Sequence, residues 1–171
     1  PRPKHRLRPM EALHAPWRID YILGPKNPSG DTSVFTQIGQ SEDDEGNYVI
    51  RRSRHGYAVL NTYPYNGGHV LIAPYKQVQD LDDLNDEENL DLLQLLQATK
   101  RAIQSAMNPD GFNVGLNLGR VAGAGIEEHL HWHIVPRWSG DTNFMPAIGQ
   151  TAVLPEALTE TAAKLRKALA E

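Results

Sequence analysis

Apolar and polar residues alternate along several short stretches of this chain, with the period of two that is typical of β-strands. Three such stretches follow one another in the first half, and two more come after a long helical segment. β-Branched residues within the stretches and turn-forming residues between them support the assignment. The pattern predicts five strands, at residues 47–52, 55–61, 69–74, 112–118 and 129–138.

A helical pattern separates the third and fourth predicted strands. Asn85 is a favourable capping residue, and Glu88 three positions later completes a capping box. Five residues recur at helical spacing and predict a face that packs on the sheet: Leu92, Leu96, Thr99, Ile103 and Met107. A C-terminal helix is expected from about Pro155. These elements predict an α+β fold, in which one long helix and a C-terminal helix accompany an antiparallel sheet.

Length and composition restrict the class of protein further. The chain has 171 residues, which suits one domain with a proper core. We expect a flexible basic arm at residues 1–9 and a single domain at residues 10–171. Cysteine is absent and the net charge is −4, so disulfides and thiolate metal sites are excluded, and no nucleic-acid partner is expected. The sequence shows no secretory signal and no membrane-spanning run, so we expect a cytoplasmic protein.

The last predicted strand alternates histidines with apolar residues, in the order His129, Leu130, His131, Trp132, His133 and Ile134. On a strand the three imidazoles would project from one face, about 6.5–7 Å apart, while the apolar residues face the core. On a helix the same spacing would scatter them. The pattern therefore predicts three imidazoles that can surround one phosphate or one metal ion.

Two kinds of chemistry suit such a cluster. Three histidines with an open fourth position describe many catalytic zinc sites. Alternatively, a neutral imidazole can attack a phosphorus atom and form a covalent intermediate, if its other nitrogen is held by an acceptor. Small residues at 119–125 could bring backbone N–H groups close to a phosphate. A third interpretation, scattered surface histidines, is disfavoured by the regular alternation with apolar residues.

Several motifs resemble the histidine triad (HIT) family. Residues 129–135 are similar to its His-x-His-x-His-x-x signature, in which x is apolar, and residues 66–74 resemble its Gly-His-hydrophobic-Pro strand. Asn61 lies where the family has a ribose-binding Asn or Asp. Residues 111–119 and 140–146 resemble the branch that contains bacterial diadenosine tetraphosphate phosphorylases.

This resemblance covers residues 15–165. It implies a five-stranded antiparallel sheet that dimerises, and an enzyme that binds purine nucleotides and cleaves dinucleoside polyphosphates at the α-phosphorus, with no metal or other cofactor. In it His131 would be the nucleophile, His129 and His133 would contact the phosphate and assist proton transfer, and His69 would orient them. The substrate-binding residues would be Asn61, Asn117, Gly123, Ala124, Gly125, Trp138, Val34, Phe35 and Ile38.

Three departures from the family pattern bear on the chemistry. Many relatives carry Cys-x-x-Cys as half of a structural zinc site, whereas this chain has Ser33-Val34-Phe35-Thr36, so no such zinc is expected. His133 replaces the Gln of the branch that acts on sugar phosphates. The phosphorylase pattern has Gly-Ser where this chain has Ala124-Gly125, which leaves phosphate and water open as acceptors, with phosphate preferred.

Other functions stay open at this point. A nucleoside phosphoramidate hydrolase would use the same triad, and a nucleotide-binding sensor would need the pocket but not the nucleophile. The apolar residues Val34, Phe35 and Ile38 suit a base pocket and ordinary core packing equally well.

Overall fold

The structure of the chain is a computed structural model that describes residues 32–141 and 156–170. Within these residues it contains a five-stranded antiparallel sheet in the order β1-β2-β3-β5-β4. The strands are β1 (Val49–Arg52), β2 (Gly56–Leu60), β3 (Val70–Pro74), β4 (Gly111–Leu116) and β5 (Trp132–Arg137). The helices are α1 (Val34–Gln40), α2 (Asp86–Met107) and α3 (Leu158–Ala170), with short 3-10 turns at Leu81–Asp83 and Arg120–Ala122. The predicted α+β fold with its five strands is confirmed.

The long helix α2 has the ends that the sequence predicts. Asn85 Oδ1 accepts from the Glu88 backbone N–H, and Glu88 Oε2 accepts from the Asn85 backbone N–H, both at 2.9 Å. Four residues of the predicted face are buried, namely Leu92, Leu96, Thr99 and Ile103, and Met107 is half-buried. The helix ends at Asn108, whose φ of 46° is left-handed.

The two faces of the sheet take alternate residues of the same strands. One face packs against α2 and α3, with Ile72 and Ile134 fully buried beneath them. The opposite face carries Tyr57 and Leu71, and Phe35 of α1 packs on it. His133 pairs with Leu71 in the register of β5 and β3, so it belongs to this second face, which we call the histidine face.

Helix α1 is the element that covers part of the histidine face, and the sequence indicated only a short apolar piece there. Ser33 caps its start by accepting from the Thr36 backbone N–H at 3.2 Å. Arg52 donates to two backbone carbonyls at its other end, those of Gly39 at 2.9 Å and Ile38 at 3.3 Å. These bonds satisfy carbonyl groups that a helix end leaves unpaired, and they attach α1 to the sheet.

The start of β5 differs from the prediction. The strand begins at Trp132 rather than at residue 129. Continued pairing would bring the preceding residues opposite Pro74, which has no N–H to donate. Instead Leu130 N–H donates to the Val78 carbonyl at 2.7 Å, and the segment before β5 leaves the sheet. The prediction that one continuous strand presents all three imidazoles from one face is therefore wrong at its N-terminal end.

The remaining predictions concern the chain termini. Helix α3 begins at Leu158, and Pro155, the expected start, lies outside the described residues. The basic arm at residues 1–9 and most of residues 140–146 also lie outside them. Among the helices that the structure describes, none has the length and apolar character needed to cross a membrane.

Candidate active site

A hydrogen bond to the backbone two residues earlier holds the ring of His131 in one orientation. Its Nδ1 lies 2.8 Å from the His129 carbonyl oxygen. A carbonyl oxygen only accepts, so Nδ1 carries the proton and donates it. In the neutral ring, Nε2 then has a free lone pair, which is the form that a nitrogen nucleophile needs.

His129 is fully buried, and hydrogen bonds within the protein occupy both of its ring nitrogens. Its Nε2 lies 2.9 Å from the Pro74 carbonyl and must donate to it, so its Nδ1 is the acceptor of the 2.6 Å contact with Ser33 Oγ. Neither nitrogen is left for a phosphate in this geometry. The expectation that His129 contacts the phosphate is therefore corrected, and His129 instead supplies the carbonyl that orients His131.

A second pair of imidazoles lies beside His131. His69 Nε2 and His133 Nδ1 are 3.0 Å apart, and the rings of His131 and His133 are 5.0 Å apart between centroids. Tyr65 N–H donates to His69 Nδ1 at 3.1 Å, so in the neutral pair His69 carries its proton on Nε2 and donates to His133 Nδ1. The chain of bonds leaves the proton of His133 on Nε2, where it can act as a donor. The ring of Tyr65 stacks on His69 at 4.8 Å and on His133 at 5.8 Å.

Burial lowers the pKa of both His129 and His131 below the ordinary value of 6.5. The carbonyl of Pro74 opposes this effect at His129, and the carbonyl of His129 opposes it at His131. Both rings are consequently neutral near pH 7. A neutral His131 is the state that can attack an electrophilic phosphorus atom.

Helix α1 brings Phe35 against the histidines. Its ring lies 4.7 Å from His131 and 5.4 Å from His129 between centroids, and its carbonyl accepts from the Tyr57 hydroxyl at 2.6 Å. Phe35 is buried and Ile38 is half-buried, whereas Val34 is 40% exposed. Core packing therefore explains the burial of the Phe35 side chain, while the Val34 side chain is accessible to a ligand.

The small-residue loop before the triad forms a tight turn. Gly123 N–H donates to the Arg120 carbonyl at 3.0 Å, and Ala124 N–H donates to the Gly119 carbonyl at 3.3 Å. These two N–H groups are thus engaged within the loop. Gly123 has a φ of 95°, which favours glycine, and a Cβ there would lie 4.0 Å from Asn117 Nδ2. The loop is therefore folded back toward Asn117. Gly125, the last residue of the loop, is half-buried.

Three other predicted residues differ in how near they lie to His131. Asn117 follows the pairing of Leu116 with Trp132, so its backbone is level with His131. Asn61 lies beside His69, with Nδ2 3.3 Å from His69 Nδ1 and Oδ1 accepting from the Tyr63 backbone N–H. Trp138 follows the far end of β5, roughly 16 Å along the strand from His133. Within this chain the structure does not bring Trp138 to the histidines.

Comparison with known proteins agrees with this arrangement. The HIT domain matches residues 44–140, more than half of the chain. The AP-4-A phosphorylase of Mycobacterium tuberculosis is 43% identical over 158 residues, which cover 89% of this chain and 80% of that protein. The chain belongs to the HIT family.

More distant relatives and solved structures extend the likeness. The bis(5'-adenosyl)-triphosphatase of Saccharomyces cerevisiae is 38% identical over 91 residues, 53% of this HIT protein and 44% of the yeast protein. A crystal structure of a Zn-bound histidine triad family protein from Mycobacterium smegmatis matches with a TM-score of 0.64 and 28% identity, covering 80% of this chain and 92% of that one. The sheet and helices described above are therefore those of a HIT fold.

The zinc site of HIT relatives has no suitable donor set here. At the positions where the resemblance implies Cys-x-x-Cys, this protein has the hydroxyls of Ser33 and Thr36, which form hydrogen bonds with His129 and Gln77. Zinc prefers thiolate and imidazole ligands to neutral hydroxyls and amides. Among the residues that the structure describes, no group of three or more His, Asp or Glu side chains is arranged so that it could hold a metal ion.

Sequence reasoning missed two contributors to this site. In the sequence, Ser33 stands out only as a position that lacks the cysteine of the family pattern. A hydroxyl at the start of a helix is nevertheless a recognisable capping signal. Tyr65 lies in a turn four residues before His69, and its stacking on two imidazoles leaves no periodic signal in the sequence.

Proposed function

We propose that this HIT protein cleaves dinucleoside polyphosphates, diadenosine tetraphosphate above all, at an α-phosphorus through a covalent nucleotidyl-His131 intermediate. The observation that carries the proposal is the 2.8 Å hydrogen bond from His131 Nδ1 to the His129 carbonyl, because it leaves Nε2 as the nucleophile. The substrate class is supported by the relatives named AP-4-A phosphorylase and bis(5'-adenosyl)-triphosphatase.

The reaction would run in two transfers. In the first, His131 Nε2 forms a bond to the α-phosphorus while the bond from phosphorus to the leaving polyphosphate oxygen breaks, and that oxygen keeps the electron pair. The Nε2–H of His133 would donate a hydrogen bond to the oxygen as its charge develops. In the second transfer an acceptor oxygen attacks the phosphorus, and the electron pair of the P–N bond returns to His131.

Neighbouring side chains would position the nucleotide for this chemistry. Asn117, level with His131, would donate to a phosphoryl oxygen, and Asn61 would hold the ribose. The accessible side of α1 at Val34 and Ile38 would receive the base. Phosphoryl transfer depends mainly on such positioning and charge stabilisation, since little covalent machinery is required beyond the nucleophile.

Inorganic phosphate is our preferred acceptor. The preference is supported by the 43% identity to a protein named AP-4-A phosphorylase over most of the chain. The loop at Ala124 and Gly125 would govern access of the acceptor, since it lies directly before the triad segment. A phosphate oxygen would give a nucleoside diphosphate, whereas water would give a nucleoside monophosphate and release one proton.

Product analysis tests this proposal. The protein is incubated with diadenosine tetraphosphate, with and without inorganic phosphate, and the nucleotides are separated. ATP and ADP that form only with phosphate would support phosphorolysis, whereas AMP and ATP without phosphate would mean hydrolysis. Cleavage of an adenosine phosphoramidate alone would favour the hydrolase alternative, and tight nucleotide binding without turnover would favour a sensor.

We further propose that the protein is a homodimer joined at β4. This strand lies at the edge of the sheet, and its exposed apolar residue Val114 is followed by Leu118 just beyond the strand end. Leu90 and Leu93 of α2 are also exposed. Light scattering should give twice the mass of one chain, and a Val114→Lys variant should shift the protein toward monomers. A wild-type protein of monomer mass would contradict this assembly.

A further inference from the structure

The buried His129 is enclosed by polar side chains from two distant parts of the chain. Ser33 Oγ lies 2.6 Å and Thr36 Oγ1 lies 3.3 Å from its Nδ1. Gln77 Oε1 accepts from the Thr36 hydroxyl and from the Ser33 backbone N–H, both at 2.9 Å. We call Ser33, Thr36 and Gln77 the hydroxyl cluster. It joins the start of α1 and the segment after β3 to the segment before β5.

The direction of each bond in the hydroxyl cluster can be assigned. His129 Nε2 must donate to the Pro74 carbonyl, so Nδ1 is an acceptor in the neutral ring. The one hydroxyl proton of Thr36 goes to Gln77 Oε1. Ser33 Oγ–H is therefore the donor to His129 Nδ1, at the shorter of the two distances. Ser33 is itself fully buried, so water does not compete for this bond.

We propose, on the basis of the function proposed above, that Ser33 is a positioning residue for the nucleophile. Its hydroxyl holds His129 in the Nε2–H tautomer, and that tautomer ties the ring to the Pro74 carbonyl. The His129 backbone is fixed as a result, and its carbonyl holds the Nδ1–H of His131 at 2.8 Å. Ser33 is therefore linked to His131 by hydrogen bonds to the ring and to the backbone carbonyl of His129, and the last of these bonds is made by Nδ1 of the ring whose Nε2 attacks.

The same arrangement links ligand contact on α1 to the nucleophile. Ser33 immediately precedes α1, whose Phe35 packs on the rings of both His129 and His131. A base that binds against α1 would thus contact the helix that Ser33 caps, and Ser33 is the residue that sets the tautomer of His129. The hydroxyl cluster gives the helix a polar attachment to the triad in addition to its apolar packing.

Ser33 also caps α1, so the test has to separate the two roles. Ser33→Ala removes the cap and the donor. Ser33→Asp keeps an acceptor for the Thr36 N–H but cannot donate to His129 Nδ1, and its carboxylate would favour a proton on that nitrogen. Asn85→Ala removes the equivalent cap of α2, which packs on the face of the sheet opposite to the histidine face, and serves as the matched control.

Turnover of diadenosine tetraphosphate and 15N NMR of the histidine rings are measured for all four proteins. We expect kcat to fall about tenfold in Ser33→Ala and in Ser33→Asp, with KM changed less than about twofold, and both to stay near wild type in Asn85→Ala. The NMR spectrum should show His129 Nδ1 as an unprotonated acceptor in the wild type and a changed state in both Ser33 variants.

The outcomes distinguish this inference from the proposed function. An unchanged His129 tautomer in both Ser33 variants would overturn the inference, as would full kcat in Ser33→Asp, because a capping role alone would then suffice. If the wild-type protein does not turn over the substrate, the proposed function fails, yet the NMR comparison still tests whether Ser33 sets the state of His129 and His131. Circular dichroism of the folded variants excludes a trivial loss of structure.

Discussion

The two faces of the sheet are built from alternate residues of the same strands, yet they bury different chemistry. On the helix-covered face, Ile72 and Ile134 belong to a buried apolar cluster that includes residues of α2 and α3. On the histidine face, His69, His129 and His131 are also buried, but they are held by directed hydrogen bonds. Burial of the apolar residues stabilises the fold in proportion to the area buried. The hydrogen bonds of the imidazoles instead fix the orientation and the tautomer of each ring.

Because of this contrast, we expect mutations on the two faces to affect different properties of the protein. A change on the helix-covered face removes contacts and leaves a cavity, so it should lower the free energy of unfolding while the remaining folded molecules stay active. A change on the histidine face should lower turnover more than stability, because it disturbs geometry that matters only to the reacting atoms.

The largest expected effect is that of His131→Ala on turnover. Without the nucleophilic nitrogen, kcat should fall by about a thousandfold or more in a steady-state assay with diadenosine tetraphosphate. His55→Ala is the matched control, since the side chain of His55 lies against Glu87 of α2, with 3.5 Å between His55 Nε2 and Glu87 Oε1. Retention of wild-type kcat by His131→Ala would mean that the two faces do not differ in the way described.

The next effect should be the loss of stability in Ile134→Ala. Ile134 is fully buried on the helix-covered face, so its truncation should cost about 2–5 kcal/mol in the free energy of unfolding. Denaturant titration measures this cost, and kcat per folded molecule should stay within a few-fold of wild type. A loss of activity as deep as that of His131→Ala, with little loss of stability, would contradict the division between the faces.

A smaller effect is expected from removing the donor to His133. His69→Ala should lower kcat about tenfold, because the tautomer of His133 is no longer fixed. His69→Gln offers an amide N–H near the position of Nε2 and should recover part of the loss. If alanine and glutamine variants have equal kcat, the hydrogen bond from His69 to His133 does not matter for turnover.

The smallest effect concerns pH. Burial lowers the pKa of His129 and His131 below 6.5, so the folded protein binds fewer protons than the unfolded chain as the pH falls below that value. Stability that these two rings provide is present above about pH 6.5 and is lost as the pH falls. The acid limb of kcat should likewise lie below 6.5. A limb above that value would show that the ring that attacks is not neutral in the folded state.

The sequence predicted the parts of this molecule that depend on local patterns. The strands and the capping box of Asn85 and Glu88 follow from periodicity and from residue types within a few positions. The imidazoles also alternate as strand residues do, and that pattern suggested three equal histidines. The structure makes them unequal, because Pro74 interrupts the pairing of β3 with β5 and His129 turns toward it.

Other features depend on contacts between distant residues, and no local pattern carries them. Ser33 lies 96 positions before His129, so a search along the sequence finds only a helix cap. The stacking of Tyr65 on His133 joins a turn to a strand far along the chain. Trp138 belongs to the same predicted strand as the histidines, yet the length of β5 separates it from them within one chain.

The most direct test of the nucleophile is to trap the intermediate. The protein is mixed rapidly with diadenosine tetraphosphate without phosphate, quenched under conditions that preserve a P–N bond, digested and analysed by mass spectrometry. The predicted result is an adenylyl group on His131, which is absent from the His131→Ala variant and discharged to ADP when phosphate is added before the quench. Turnover with no adduct, or an adduct carried by His133, would contradict the proposal.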